Sequence, residues 1–240
     1  NDYTDDFSCR GRWVNYLAGG STAYPEGPGL NIPVNMSVAF HSDAGCHPTD
    51  KLVGTFMFYT IKDDDKETTY PSGGDRICNR DFADFIQTQI VEDIRQTMMP
   101  TWQKRHLMHQ SMSETRNPKV PSTIIELLSH HNYYDMTFGL DPKFKFIASR
   151  AIYKGMLRFI HQTTGTPYVV QPLPVQQMNI SYANNDSLHI TWAERVDRLE
   201  PTATPTYYII YTRTSQLRDG QWQTSDWDNG IRVTTPHATL

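Results

Sequence analysis

The chain has 240 residues, with 22 basic and 26 acidic side chains and a formal net charge of −4. This length allows one large domain or two smaller ones, and the slight acidity argues against a nucleic-acid surface, which needs a concentrated basic face. No apolar run approaches the roughly 20 residues of a membrane span. The three cysteines, Cys9, Cys46 and Cys78, form no CxxC pair, so a cysteine-based metal site is not expected.

The first part of the chain alternates helical and strand-like segments. DDFSCRGRWVNYLAGG predicts a helix that stops at the Gly19–Gly20 pair, and residues 20–35, rich in proline and glycine, predict a loop. MSVAF and LVGTFMFYT predict strands because they are rich in β-branched and aromatic residues. The acidic run KDDDKETTYPSGGD predicts a solvated turn region rather than a calcium site.

From about Asp75 the apolar residues take helical spacing. They recur every four residues until Pro100 ends the pattern, and the stripe comprises Phe82, Ile86, Ile90, Ile94 and Met98. VPSTIIELL predicts a short buried strand, and DPKFKFIASRAIYKGMLRFI predicts a second long helix. QSMSETRNPKVP, between them, predicts a loop. Helices that alternate with apolar strands indicate an α/β domain, a sheet flanked by helices.

The composition changes near residue 165, which predicts two domains, 1–165 and 166–240. TTGTPYVVQPLP is typical of a domain junction, and QQMNISYANNDSLHITWAERV predicts two strands around an Asn-Asn-Asp turn. The strands that follow favour an all-β immunoglobulin-like sandwich with Trp192 on its second strand. Such a domain usually takes about 100 residues, so we expect this sandwich to be incomplete.

One predicted strand ends in ionisable side chains. In MSVAFHSDAG, His41 and Asp43 follow directly after the apolar run. A single histidine at a strand end is more often hydrogen-bonded to a neighbouring loop. The alternative is a metal ligand, because open α/β folds place their sites at the carboxyl ends of strands. Both interpretations stay open on this segment alone.

A second predicted strand contains a carboxylate among apolar residues. Glu126 lies between Ile125 and Leu127, where a charge is costly unless something pairs with it or uses it. It either points to the sheet edge and accepts backbone N–H groups, or it has a chemical role. A desolvated glutamate beside a metal-bound water would suit a general base, because its raised pKa approaches the working pH.

Four blocks of the sequence together resemble the zinc-dependent N-acetylmuramoyl-L-alanine amidases, over residues 1 to about 162. They are, in order, NDYTDDFSCRGRWVNYLAGG, MSVAFHSDAG, VPSTIIELLSHHNYYDM and FKFIASRAIYKGMLRFI. The resemblance implies an amidase-like sheet and hydrolysis of the amide between muramic acid and L-alanine. It also implies an exported protein whose partner is peptidoglycan or a related cell-envelope glycan.

The resemblance implies a role for four residues, and the predicted loop before the second strand adds Arg116 as a fifth candidate. His41 would be the last of three zinc ligands, and Glu126 would activate the zinc-bound water. Asp43 would line the substrate groove. Arg116 would pair with a carboxylate of the stem peptide, although a solvated loop is the stronger alternative there. Asn132 falls on the family's asparagine, where we expect it to order the loop, and it is a further candidate for substrate contact.

The chain also departs from the family pattern. The family's first histidine and its glutamate ligand have no counterpart here, and they would lie upstream of residue 1. We therefore expect a fragment that begins within the domain, is inactive alone, and lacks two ligands of a three-ligand zinc site. Other histidines lack the spacing of a ligand pair; they are His47, His106, His109, His130 and His131.

Residues 172–240 resemble a fibronectin type III module, on Trp192, Tyr208 and Tyr211. Such modules imply a spacer or a carbohydrate- or protein-contact unit. Leu128-Ser129 replaces the family's Gly-Phe after the catalytic glutamate, so the substrate groove is expected to differ. Two alternatives to the amidase therefore remain. One is a diverged, exported, polysaccharide-associated protein, lyase-labelled or glycan-binding, with an inactive amidase-like domain, and the other is an adhesion module without metal.

Overall fold

The computed structural model describes residues 2–45, 51–184 and 186–240. The chain forms two compact units, residues 1–167 and residues 168–240. Unit 1 contains α1 (Asp2–Ala18), β1 (Ser37–Asp43), β2 (Thr55–Tyr59), α2 (Cys78–Thr97), β3 (Lys104–His109), α3 (Ser113–Arg116), β4 (Ser122–Ser129), α4 (Tyr133–Gly139) and α5 (Pro142–Thr164). No described helix in either unit is long and apolar enough to cross a membrane.

Unit 1 is built on a four-stranded mixed sheet with the order β1-β4-β2-β3. β1 runs parallel to β4, β4 antiparallel to β2, and β2 parallel to β3. The predicted α/β class, a sheet flanked by helices, is confirmed. β4 lies inside the sheet and is apolar on both sides, as a strand covered on both faces should be.

The two long helices carry the core of unit 1. Phe82, Ile86, Ile90 and Ile94 of α2 are all fully buried, which confirms the predicted stripe. Met98 caps the end of α2 and is partly exposed. α2 and α5 pack against each other, and α2 also contacts β2, β3 and β4. Their clustered apolar residues therefore fix the sheet whose strand ends carry the candidate site.

Three elements of unit 1 were not predicted from the sequence. β3 reads KRHLMH and lies at the edge of the sheet, where half of its side chains are exposed and polar. α3 and α4 have four and seven residues, too short to show a helical repeat. The prediction of a continuous loop over QSMSETRNPKVP was therefore wrong, because α3 forms inside it.

The acidic run before α2 is only partly solvated, which corrects the sequence interpretation. Asp63 is 4% exposed, and its carboxylate accepts hydrogen bonds from Lys119 Nζ at 2.7 Å and from the backbone N–H groups of Asp65 and Glu67. Burial alone would raise the pKa of Asp63, but these bonds outweigh it and hold the pKa below its ordinary value. Its neighbours Asp64 and Asp65 are exposed, as predicted.

Among the residues described, the regular secondary structure of unit 2 consists of strands. Its sheets are β11-β6-β5, β10-β7 and β8-β9. The strands are β5 (Gln176–Asn184), β6 (Ser187–Ala193), β7 (Tyr208–Ile210), β8 (Ser215–Arg218), β9 (Gln221–Thr224), β10 (Ile231–Val233) and β11 (His237–Thr239). β5 and β6 pair antiparallel, which confirms the predicted hairpin, although residue 185 of its turn lies outside the described residues. Trp192 is buried against Tyr208, with ring centroids 5.1 Å apart.

Candidate active site

His41 and Glu126 lie directly opposite each other on the neighbouring parallel strands β1 and β4. Directly paired residues of adjacent strands project to the same face of a sheet. The two side chains that the sequence singled out on separate strands therefore share one face. On the other side of β4, Phe56 of β2 is paired with Glu126. Glu126 therefore has a neighbouring strand on each side.

Glu126 carries a desolvated carboxylate that is incompletely hydrogen-bonded. Its Oε2 atom is buried and has no hydrogen-bond partner among the described residues. Burial raises the pKa of Glu126 above its ordinary value, and the negative charges of Asp43 and Glu114 add to that effect. The positive charges of His41 and Arg105 oppose it without cancelling it. A carboxylate with a raised pKa and a free oxygen can accept a proton.

His41 is held by a carboxylate on α3. Its Nε2 atom lies 3.0 Å and 3.2 Å from the two carboxylate oxygens of Glu114. Glu114 also accepts a hydrogen bond of 2.9 Å from Arg10 Nη1 on α1, and Arg10 Nη2 reaches Asp6 at 2.6 Å. The hydrogen bond that His41 donates to Glu114 raises the pKa of His41, against the opposing effect of burial.

The same network fixes the charge of Glu114. Burial would raise the pKa of this carboxyl, but the bonds from His41 and Arg10 outweigh burial and lower it. The Glu114 side chain is only 12% exposed. Solvent and salt therefore weaken its interactions with His41 and Arg10 less than they weaken those of a surface ion pair. Glu114 lies between Arg10 and His41 and is the shared acceptor of both side chains.

α3 is anchored so that Glu114 reaches β1. Arg76 is fully buried and donates hydrogen bonds to the carbonyl groups of Thr115 and Arg116, at 3.0 and 2.9 Å. A cation on the last carbonyls of a helix is favourable because those groups have no partner inside the helix. At the other end of α3, Ser113 Oγ donates to the carbonyl of Phe7 in α1, at 2.7 Å.

Asp43 is neutralised by an arginine of the edge strand. Its Oδ2 atom lies 2.6 Å from Arg105 Nη1, and its Oδ1 accepts the backbone N–H of Gly45 at 2.7 Å. The guanidinium of Arg105 lies 4.4 Å from the ring centroid of Phe56. Asp43 and Arg105 therefore lie beside Glu126, where both influence its pKa.

Asn132 has a structural position at the start of α4. The side chain is fully buried, its oxygen accepts the backbone N–H of Asp135, and its nitrogen donates to the carbonyl of Lys51 at 3.0 Å. An asparagine at this position caps a helix. These bonds fit the loop-ordering role expected from the sequence, and burial leaves no surface for the substrate contact.

Arg116 is not brought together with His41 and Glu126. Its Nε atom pairs with Asp64, and its Nη1 atom donates to the backbone oxygen and the hydroxyl of Ser111, at 3.2 and 3.0 Å. A substrate carboxylate would have to compete with Asp64 for this guanidinium. The predicted substrate contact of Arg116 therefore stays a prediction.

The other histidines are engaged elsewhere. His130 Nδ1 lies 2.9 Å from Ser42 Oγ, His106 packs edge-on against Phe56, and His109 stacks on Tyr59. Cys46 and His47 fall within residues 46–50, outside the described residues. In the part of the chain that is described, no group of three or more His, Cys, Asp or Glu side chains could hold a metal ion.

Two cavities flank β1. One, of about 310 Å³, is lined by Arg10, Val14, His41 and Glu114. The other, of about 410 Å³, is lined mainly by apolar side chains of β1, β4, α4 and α5, together with Lys145. Phe40 and His41 of β1 line both cavities. The candidate site thus has room for a ligand next to His41.

The sequence analysis does not identify Glu114, nor the contact of Arg10 with it. In the sequence, Glu114 is one of several polar residues in a predicted loop. Its contact with His41 spans 73 positions of the chain. The one signal in the sequence was an acidic residue flanked by residues able to start a short helix, which is too common a pattern to indicate a site.

We predict that Glu126→Gln makes the protein more stable at neutral pH. A carboxyl with a raised folded-state pKa binds its proton more tightly in the folded than in the unfolded protein, so its ionised form costs stability above that pKa. The difference should vanish below about pH 4, where both states are protonated. Thermal denaturation of both proteins across pH measures it, with the exposed Glu92→Gln as control. A less stable Glu126→Gln protein at pH 7 would contradict the prediction.

The fold and the site define a mixed α/β unit that presents a histidine–glutamate pair on one sheet face. Three solved structures similar to this chain are N-acetylmuramoyl-L-alanine amidases. One is from Clostridium difficile 630 (14% identity, TM-score 0.48, 65% of this chain and 66% of that chain covered). A second is the CwlD amidase from Clostridioides difficile in complex with the GerS lipoprotein (18% identity, TM-score 0.46, 67% of this chain and 64% of that chain covered). A third is the amidase Ami1 from Mycobacterium smegmatis (17% identity, TM-score 0.41, 54% of this chain and 55% of that chain covered).

This chain spans less than two thirds of the length of each of these three structures. No family model matches the sequence, and a search of curated proteins finds no match. Since none of the three reaches a TM-score of 0.5, the function proposed below rests on the residues of this chain.

Proposed function

We propose that the chain belongs to an exported amidase-type hydrolase that cleaves the amide between N-acetylmuramic acid and L-alanine in peptidoglycan. Glu126 is the general base of this reaction. The observation that carries the proposal is the buried, unpartnered Oε2 of Glu126, on the same sheet face as His41. The resemblance of four sequence blocks in their family order supports the choice of substrate.

The proposed chemistry assigns two tasks to the residues of this sheet corner. Glu126 takes a proton from the attacking water, as a general base does, and passes it to the leaving amine. Negative charge then develops on the carbonyl oxygen, and cations close to it lower the barrier. Arg105 and, in its protonated form, His41 act on the charge of Glu126, so they are the candidates for this stabilisation.

Zinc, which the resemblance implies with His41 as one ligand, is not accommodated by the described residues. A catalytic zinc site uses three protein ligands and one open position. Residues 2–45, 51–184 and 186–240 contain no such group of three, and His41 Nε2 faces Glu114 instead. No step assigned here to Glu126 depends on the metal.

We accordingly expect the 240-residue chain to show its metal-free mass in native mass spectrometry. A single histidine paired with a carboxylate is too few ligands to retain zinc through desalting. The measurement is made after incubation with zinc, with and without a chelator. One chelator-sensitive zinc per chain would contradict this expectation and would show that His41 binds it with other residues.

A second candidate function is glycan binding by a diverged, inactive amidase-like domain. The observation that favours it is the engagement of His41 Nε2 by Glu114, because a ring nitrogen in an ion pair is not free for a ligand or a substrate. In this case the chain would bind peptidoglycan or a related cell-envelope glycan without cleaving it.

Co-sedimentation with insoluble purified peptidoglycan separates the two candidates. The protein is incubated with the polymer and pelleted, and the supernatant is assayed over time for newly released amino groups. The hydrolase predicts a steady release that depends on protein concentration. Protein in the pellet without any release would support the binding function and overturn the hydrolase.

A further inference from the structure

Unit 2 contains an extended antiparallel ribbon with an unusual surface. β7 pairs with β10, with Arg232 opposite Ile209. The pairing continues beyond β7, since the backbone N–H of Asp228 donates to the carbonyl of Thr212 at 3.0 Å. The segments 207–213 and 227–233 therefore run side by side. At about 3.3 Å per residue, the first segment spans roughly 20 Å.

One face of this ribbon combines aromatic rings with arginines. Tyr207, Ile209, Tyr211 and Arg213 alternate along one segment and share a face, and Arg232 joins them because it lies opposite Ile209. We name this the arginine–aromatic face; its residues are Tyr207, Tyr211, Arg213, Trp227 and Arg232. The three rings are exposed, at 45%, 53% and 58% for Tyr207, Tyr211 and Trp227. Contiguous exposed apolar surface rimmed by polar residues marks interaction sites.

The rings are held in place rather than left free. The guanidinium of Arg213 lies 4.6 Å from the ring centroid of Trp227, and that of Arg232 lies 4.3 Å from the ring centroid of Tyr207. These are cation–π distances. Tyr211 packs over Gly230, where an added Cβ would come within 2.8 Å of the Tyr211 ring. Rings fixed in this way lose little further freedom when a ligand binds.

The two arginines keep their hydrogen-bonding capacity. Among the described residues, neither Arg213 nor Arg232 has an ion pair or a side-chain hydrogen bond, and both are exposed. The neighbouring carboxylate of Asp228 accepts hydrogen bonds from the hydroxyl of Thr212 and from the backbone N–H of Gly230, at 2.6 and 2.9 Å. Its hydrogen bonds with Thr212 lower the pKa of Asp228. The N–H groups of both guanidinium forks are thus available to an incoming anion.

We propose that the arginine–aromatic face binds a polysaccharide that carries carboxylate groups. Aromatic faces have negative quadrupole potential and attract the weakly positive C–H face of a sugar ring, and guanidinium forks bind carboxylates with two parallel hydrogen bonds. The ribbon is long enough for several sugar units. This inference goes beyond the proposed hydrolysis and does not depend on it.

The test is the affinity of the full 240-residue chain for soluble polygalacturonate, measured by isothermal titration calorimetry beside a neutral glucan. We expect saturable binding of polygalacturonate and at least about tenfold weaker binding for Trp227→Ala and for Arg213→Gln or Arg232→Gln, since each variant removes either a ring or a guanidinium fork that would contact the ligand. Arg213→Lys, which keeps the charge and loses the fork, should be intermediate.

Matched controls lie on the separate β8-β9 ribbon. Trp222 is 71% exposed, and Arg218 is an exposed arginine bonded to Gln216, so Trp222→Ala and Arg218→Gln should bind as the parent does. Circular dichroism checks that each variant is folded, and the Arg→Gln variants remain informative where Trp227→Ala is not folded. Unchanged affinity in the face variants, equal affinity for the neutral glucan, or equally tight binding of single-stranded DNA would each overturn the proposal.

Discussion

Glu126→Gln is expected to lower the rate of amide hydrolysis by about 10²–10⁴-fold, the usual contribution of a general base. The amide side chain keeps the size of the carboxylate but cannot take a proton from water. The buried Oε2 atom, which has no partner among the described residues, makes Glu126 the carboxylate best prepared for that task. Release of amino groups from peptidoglycan at saturating substrate measures the effect.

The matched control for this prediction is Glu92→Gln on α2, where the side chain is exposed. The control should leave the rate unchanged. Since Glu126→Gln is also expected to be at least as stable as the parent at pH 7, its loss of rate cannot be explained by unfolding. A Glu126→Gln protein that releases amino groups at the parent rate would show that another group is the base.

Lys154→Met is expected to destabilise unit 1 by about 3–5 kcal/mol, because it leaves an uncompensated buried carboxylate. Lys154 Nζ lies 2.7 Å from Asp93 Oδ2, and the two side chains are 1% and 5% exposed. They join α5 to α2, the two helices that carry the core. Urea denaturation, monitored through the hydrogen exchange of α2 peptides, measures the free energy of unfolding of unit 1.

Two variants test the cause of this loss. Lys143→Met removes an exposed lysine of α5 and should change stability by less than about 0.5 kcal/mol. Asp93→Leu combined with Lys154→Met removes both charges and should recover most of the loss, since a buried ion pair can be replaced by apolar residues at little cost. A double variant as unstable as Lys154→Met alone would locate the effect in packing instead of charge.

Long apolar repeats made the framework of unit 1 predictable. The four-residue spacing of Phe82, Ile86, Ile90 and Ile94 continues over four turns and leaves little choice but a buried helix face. β4 was predictable for the same reason, as a run of eight residues that are nearly all buried. Edge strand β3 and the short helices α3 and α4 have no comparable pattern, because packing and capping groups from distant segments stabilise them.

The site was predictable in its residues but not in its contacts. His41 and Glu126 stood out because each is an ionisable group at the end of, or within, an apolar run. Their pairing depends on β1 lying next to β4 instead of next to β2, which no local pattern encodes. The bond between Glu114 and His41 depends in turn on the buried Arg76 that anchors α3.

The proposed hydrolysis is tested most directly by identifying the bond that the chain cleaves in intact, purified peptidoglycan, by mass spectrometry of the soluble and insoluble products. The proposed function predicts stem peptides that begin with a free L-alanine amine and glycan strands that keep their length and gain a lactyl carboxylate. Shortened glycan strands with the stem peptides still attached would contradict the assignment of Glu126 and His41 to amide hydrolysis.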